Sequence, residues 1–296
     1  MTGTAAPTSL RDTDSVTDVD KAKTTALFDA VGLTYDEVLP MFSFFGDGLV
    51  KAAKVGLGDH VLDVASGRGA CVFPASAVTG LAGRVEGIDL SQRMVGALSR
   101  EIESRAMSNA RSSVMDAEEL LFDDETFDVV LCAFAVFFFP DRRRAFLEFA
   151  RVLKQDGTLA ISIFEDKTFG YPWFDELATT FRGSPVPNAL GRVDVDVLTD
   201  ELHECGFEVL DSHLVVGTFH FASAEQHWQW PMSHGPRLWV ETLDERTREA
   251  LKAATSERIE LHRDGEGLRF DKPVRFTLAR RSAPPSLAYG NRPTTR

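Results

Sequence analysis

The segment Val61–Ala70, VLDVASGRGA, limits the possible fold more than any other part of this 296-residue chain. Val61 to Ala65 reads as a buried strand carrying one acidic residue, Asp63. An ionised carboxylate in such a strand is unfavourable unless something pairs with it. The chain then turns through Ser66-Gly67-Arg68-Gly69, and a helix is expected from Ala70 to Val78. Glycines let the backbone come within contact distance of a ligand. The helix aims its first N–H groups at the same space. A dinucleotide loop would read G-x-G-x-x-G; Gly67 and Gly69 have that spacing, but position 72 is Val. Two glycines alone do not separate a ligand loop from an ordinary strand-to-helix turn.

The rest of the chain supplies the context. Strands are expected at Gly83–Asp89, Arg111–Met115, Phe127–Ala133 and Thr158–Phe164. Between them lie helical patterns, one started by Ser91 with Met94, Leu98 and Ile102 on one face, another capped by Asp141. Phe127–Ala133 is apolar apart from Asp128, as in a central strand covered on both faces. This alternation predicts an α/β fold built on a doubly wound parallel sheet. A long strand at Phe207–Phe221 and a final period-two strand in DKPVRFTLARR, expected to be antiparallel, close the pattern.

The predicted organisation is a disordered start (1–17), a helical leader (18–56), a core (57–221 and 269–281), a helical insertion over the substrate (222–268) and a disordered tail (282–296). Helical pieces are expected at Val19–Ala30, at Thr34–Met41 and within SFFGDGLVKAAKVGLGD; residues 165–192 read as loop.

A formal charge of −13 disfavours binding to a polyphosphate backbone, so no nucleic-acid partner is expected. The three cysteines, Cys71, Cys132 and Cys205, share no CxxC spacing and read as core residues of a reducing, cytoplasmic compartment. No signal-peptide pattern opens the chain, and the longest apolar run, Val129–Phe139, is far short of the ~20 residues that span a bilayer. No membrane association and no metal site are expected. Whether the protein is a monomer or a homo-dimer is left open.

Two more acidic stations follow the first. Asp89 ends the second strand about 20 residues beyond the glycine loop, where a carboxylate can accept both hydroxyls of a ribose. Asp116 and Ala117 follow the third strand, at the sheet edge where ligands of open α/β sheets bind. VLDVASGRGA, GIDLSQRMV, MDAEELLF and FDVVLCAFAVFFFPDRRRAFLEFARVLKQDGTLAISIF, in this order and spacing, resemble the class I S-adenosylmethionine-dependent methyltransferases. The likeness is to small-molecule enzymes of the ubiquinone-biosynthesis and natural-product type, and covers residues 40–165 best.

The resemblance implies a Rossmann-like sheet, S-adenosyl-L-methionine as cofactor and S-adenosyl-L-homocysteine as product. It implies that Asp63, Ala65, Ser66, Gly67 and Gly69 hold the methionine part. Asp89 would take the ribose, Leu90 and Met94 would pack beside the adenine, and Asp116 and Ala117 would meet its amino edge. Ala133 and Phe134 would pass beneath the cofactor and Tyr35 would lie over it. This chain departs from the family at Ala65 and Ser66, where Gly and often Cys are usual.

Methyl transfer from a sulfonium is an in-line displacement governed by alignment, with a general base useful for a hydroxyl acceptor. An apolar or aromatic small-molecule acceptor is expected beside Phe137, Phe138, Trp228 and Trp230, and His234 is the candidate base. Aromatic residues between helices, and a lone histidine among them, equally suit a core. Three other readings stand beside methyl transfer to a secondary metabolite: a cyclase or isomerase that binds the sulfonium without moving its methyl group, a nicotinamide-dependent oxidoreductase, and a binding protein with a relict site. The missing third glycine and Asp63 count against the oxidoreductase.

Overall fold

The computed structural model describes residues 20–32, 36–165, 170–184, 193–234 and 236–282. Seven strands form one sheet in the order β3-β2-β1-β4-β5-β7-β6. They are β1 (His60–Val64), β2 (Arg84–Asp89), β3 (Ala110–Val114), β4 (Phe127–Ala133), β5 (Leu153–Phe164), β6 (Phe207–Phe221) and β7 (Leu268–Arg281). β1 to β5 pair in parallel, while β7 inserts antiparallel between β5 and β6. The sheet is mostly parallel and Rossmann-like, with helices around it. The strand order reverses between β1 and β4, which makes their carboxyl ends the crevice where ligands of open α/β sheets sit.

The sequence explains why the sheet forms there. Val61, Leu62, Val64, Val130, Leu131 and Cys132 are fully buried, so β1 and β4 carry the centre of the core. The helix α3 (Val72–Thr79) follows β1. The helix α4 (Gln92–Ser104) starts at Ser91, whose hydroxyl accepts from the Met94 amide at 3.1 Å. Its Met94, Leu98 and Ile102 face the core. The helix α5 (Arg142–Val152) is capped by Asp141, which accepts from the Arg144 amide.

Ahead of the sheet lie α1 (Lys21–Val31) and α2 (Met41–Ala52). The expected helix over Thr34–Met41 is a correction: Asp36 to Val38 turn, and the Asp36 carboxylate accepts from the amides of Phe42 and Ser43 at the start of α2. That carboxylate caps the helix, so the helix cannot extend back through it. The positions Leu33 to Tyr35 lie outside the described residues, as do residues 1–17 and 283–296 of the termini predicted to be disordered.

Residues expected as loop hold α6 (Pro172–Arg182), a second correction. Pro172 at its first turn and Gly183 in the left-handed region beyond its end bound it. The segment between β6 and β7 is helical as expected: α8 (Ala224–Met232), α9 (Arg237–Val240) and α10 (Glu245–Glu260), with α7 (Val195–Glu204) preceding β6. α10 packs on α6 and α8. Tyr171 stacks on Trp173 at 5.0 Å, and the Trp173 indole donates to His262 Nε2 at 3.1 Å. No described helix is long and apolar enough to cross a membrane.

Candidate functional site

A cavity of about 290 Å³ opens at the carboxyl ends of β1, β2 and β4, at the strand-order reversal. That is near the lower end of the ~300–1,000 Å³ of small-molecule sites. β1 contributes Asp63 and Val64, and the glycine loop contributes Ala65, Ser66, Gly67 and Arg68. Ala65 has φ +55°, so it takes a left-handed conformation without being glycine. The Ser66 amide donates to Ile88 O, and the Gly67 amide to Asp89 Oδ2 at 3.0 Å. The loop is thus tied to the end of β2.

Asp89, Leu90, Ser91 and Met94 line the next part of the wall, and Asp116 and Ala117 the part after β3. Asp89 Oδ1 accepts from the Ser91 amide at 2.8 Å. Burial raises the Asp89 pKa, against the pull of the Ser91 and Gly67 amides. Asp63 is 2% exposed, and its Oδ2 has no hydrogen-bond partner among the described residues. Burial, then the nearby Asp89, pushes its pKa well above the usual carboxylate range. Ala133 and Phe134 leave β4 beneath the cavity, with Phe134 at φ +55°.

The leader closes the opposite side. Lys21, Thr24, Thr25 and Phe28 line the cavity from one face of α1, followed by Asp36, Glu37, Phe42 and Ser43. Polar ties hold this segment down. Lys21 bridges Asp116 at 2.7 Å and Glu118 at 2.5 Å. Asp29 accepts from the Ser91 hydroxyl at 2.5 Å. Glu37 pairs with Arg68 at 3.0 Å.

Six carboxylates and three basic side chains line the cavity. Lys21, Arg68 and the remaining base, Arg105, are each engaged by a carboxylate, with Arg105 on Glu101 at 2.8 Å. The net character is acidic and suits a cationic ligand.

The expected site residues divide into two groups. Asp63, Ala65, Ser66, Gly67, Asp89, Leu90, Met94, Asp116, Ala117, Ala133, Phe134 and Phe138 all line this one cavity. Gly69 does not; it sits under the loop, where a Cβ would lie 2.6 Å from Leu98 and 2.8 Å from Phe73. Tyr35 lies outside the described residues.

Four residues expected at the acceptor pocket do not line this cavity. Phe137 stands behind the wall, 4.7 Å from Phe138 and 6.0 Å from Phe164 between ring centres. Trp228 is buried away from the cavity, and Trp230 is packed against Phe221 and Phe270. His234 is 3% exposed, with Nδ1 2.8 Å from the Trp230 carbonyl. Burial lowers its pKa to about 4, and its ring lies 5.4 Å from that of Phe42, which lines the cavity where His234 does not.

The sequence reading missed the α1 face. Its signal was present: 21, 24, 25 and 28 have the i, i+3, i+4, i+7 spacing of one helical stripe. No group of metal-binding side chains occurs among the described residues.

Comparison with known proteins adds to this geometry. The family described as "Methyltransferase domain" matches residues 62–161. Aklanonic acid methyltransferase DauC of Streptomyces sp. (strain C5) is 35% identical over 154 residues, 51% of this chain and 70% of that protein. Nocamycin O-methyltransferase of Saccharothrix syringae is 26% identical over 240 residues, 75% of this chain and 85% of that one. The crystal structure of the [4+2]-cyclase SpnF superposes with a TM-score of 0.54 at 21% identity over 81% of each chain, a likeness of fold.

Proposed function

The chain belongs to the S-adenosylmethionine-dependent methyltransferase family, and from that premise we propose that it methylates an apolar or aromatic small-molecule secondary metabolite. The observation that carries the proposal is the continuity of one cavity: acidic stations on three successive strands at one side, and the rings of Phe28, Phe42, Phe134 and Phe138 at the other.

The cavity fits the cofactor. Among the described residues Asp63 Oδ2 is a buried acceptor without a partner, and a ligand ammonium would supply one. When bound, S-adenosyl-L-methionine supplies an electrophilic methyl group on a sulfonium and leaves as S-adenosyl-L-homocysteine. The chain's own residues then do the following work. Asp63, Ser66 and Gly67 hold the amino-acid end, while Asp89 accepts from the ribose hydroxyls. Leu90 and Met94 pack beside the adenine, and Asp116 and Ala117 face its amino edge.

Phe28, Phe42 and Phe138 form the acceptor wall, and they exclude water and orient the nucleophile, the main source of rate in an in-line transfer. Phe28 and Phe138 meet edge to face at 5.1 Å, and Phe42 and Phe134 at 5.2 Å. Such a wall favours a planar, apolar acceptor. The relatives that are methyltransferases of aklanonic acid and nocamycin support an acceptor of this class. Cyclisation without methyl transfer draws only on a likeness of fold to SpnF.

Incubation with methyl-labelled cofactor and a panel of aromatic hydroxyl, carboxyl and amine acceptors, aklanonic acid among them, tests the proposal. The expected outcome is label on the acceptor and an equal amount of S-adenosyl-L-homocysteine. Conversion of an acceptor with no demethylated cofactor would overturn it.

A further inference from the structure

We propose that the Ser43 hydroxyl, backed by the Asp36 carboxylate, takes the proton of a hydroxyl acceptor as the methyl group is transferred. This inference rests on the methyl-transfer reading above and narrows its acceptor to an alcohol or phenol. It starts from one pairing in the cavity wall. Both side chains line the cavity, and Ser43 follows Phe42 of the acceptor wall. Ser43 Oγ donates to Asp36 Oδ2 at 2.5 Å. The same carboxylate oxygen accepts from the Ser43 amide at 2.8 Å, and Oδ1 accepts from the Phe42 amide at 2.9 Å.

The pairing decides what the serine offers a ligand. Its one proton is committed to Asp36, so its oxygen presents lone pairs. Ser43 is exposed toward the cavity, and among the described residues no group donates to that oxygen. Ser91 is the contrast. Its hydroxyl also donates to a carboxylate, Asp29, but its oxygen already accepts from the Met94 amide, and it is 1% exposed. The other carboxylates of the wall stand differently. Asp89 accepts from the Ser91 and Gly67 amides, Asp116 from Lys21, and Asp63 lies within β1. Glu37 and Glu101 pair with Arg68 and Arg105. His234, the base expected from the sequence, does not line the cavity. Burial raises the Asp36 pKa against the pull of its hydrogen bonds, which suits a proton acceptor.

The step balances within these groups. The acceptor oxygen bonds the methyl carbon as the carbon–sulfur bond breaks, and that electron pair stays on sulfur. The acceptor's proton passes to Ser43 Oγ while the serine's own proton passes to Asp36, which later gives it to solvent. An acceptor that is already an anion needs no such relay.

Labelled-methyl assays of the intact protein test the relay at about pH 7, where 2-naphthol still holds its proton and 2-naphthoate has none to lose. Ser43→Ala is expected to lower kcat with 2-naphthol by ~10²-fold or more, the range a general base supplies, and to keep transfer to 2-naphthoate within about threefold. Ser43→Thr restores a hydroxyl and is expected to recover 2-naphthol transfer to within about tenfold of wild type. Asp36→Asn keeps an oxygen to cap α2 and is expected to show the same selective loss. Calorimetry of Ser43→Ala with S-adenosyl-L-homocysteine is expected to give an affinity within about threefold of wild type. Equal losses on the two probes, a larger fall in that affinity, or full 2-naphthol activity in Ser43→Ala would overturn the proposal. Label on 2-naphthoate alone in the wild type would also overturn it and leave the methyl-transfer reading standing. Label on neither probe would overturn it too, and the acceptor panel above then decides the reading it rests on.

Discussion

Ala65 and Phe134 end the two strands that flank the cavity, and both sit in the left-handed region, at φ +55° each. That conformation costs a residue with a Cβ about 1–2 kcal/mol. Glycine removes the cost and adds roughly 0.5–1 kcal/mol of unfolded-chain entropy. Ala65→Gly should therefore stabilise the protein by up to about 1 kcal/mol, read as a rise of ~1–3 °C in a thermal melt. A lower melting temperature would show that the loop gains more from the methyl group than it loses in strain. His234 is the second residue to test. It is buried, neutral near pH 7 and does not line the cavity. His234→Gln should keep kcat within about threefold while lowering stability by ~1 kcal/mol. A loss of the ~10²–10⁴ in kcat that a general base supplies, with an unchanged melt, would restore it as the base.

The element that most shapes the site from outside the sheet is α2. It crosses the end of the glycine loop so closely that a Cβ on Gly46 would lie 2.3 Å from the Ala70 carbonyl oxygen. Alanine is the better helix former by about 1 kcal/mol, but the clash falls on backbone, which cannot swing away. Gly46→Ala should lower stability by roughly 1–3 kcal/mol and weaken cofactor binding, since Ala70 lines the cavity. A more stable variant in a denaturant titration would contradict this packing.

Elements also differ in how far the sequence revealed them. The strands were legible because continuous apolar runs such as Val129–Ala133 and the glycine stops leave few alternatives. α6 was not, although Pro172 and Gly183 bracket it, because its aromatic residues masked the helical period. The start of α2 depended on the Asp36 carboxylate reaching two amides six and seven residues ahead, which composition does not show.

At the scale of the molecule, the site is where the sheet reverses its strand order and the leader folds back over it. The acidic stations expected from the sequence meet in one cavity: Asp63 lies within β1, Asp89 is the last residue of β2 and Asp116 stands two residues past β3. The covering residues share one stripe of α1 at 21, 24, 25 and 28, but tertiary ties such as Lys21 to Asp116 and Asp29 to Ser91 decide that this stripe looks inward. Nor could the sequence tell rings that face a cavity from rings that face a core. Trp230 and Phe42 are both buried aromatics, and only Phe42 reaches the site.

The central claim is that this crevice holds S-adenosylmethionine with its ribose on Asp89. Calorimetry of S-adenosyl-L-homocysteine with wild type and Asp89→Ala tests it most directly, with a thermal melt to show that the variant is folded. Two hydrogen bonds to a carboxylate, at about 1.5–3 kcal/mol each, predict at least a ~100-fold loss of affinity. An affinity within about threefold of wild type in a folded Asp89→Ala protein would contradict the assignment.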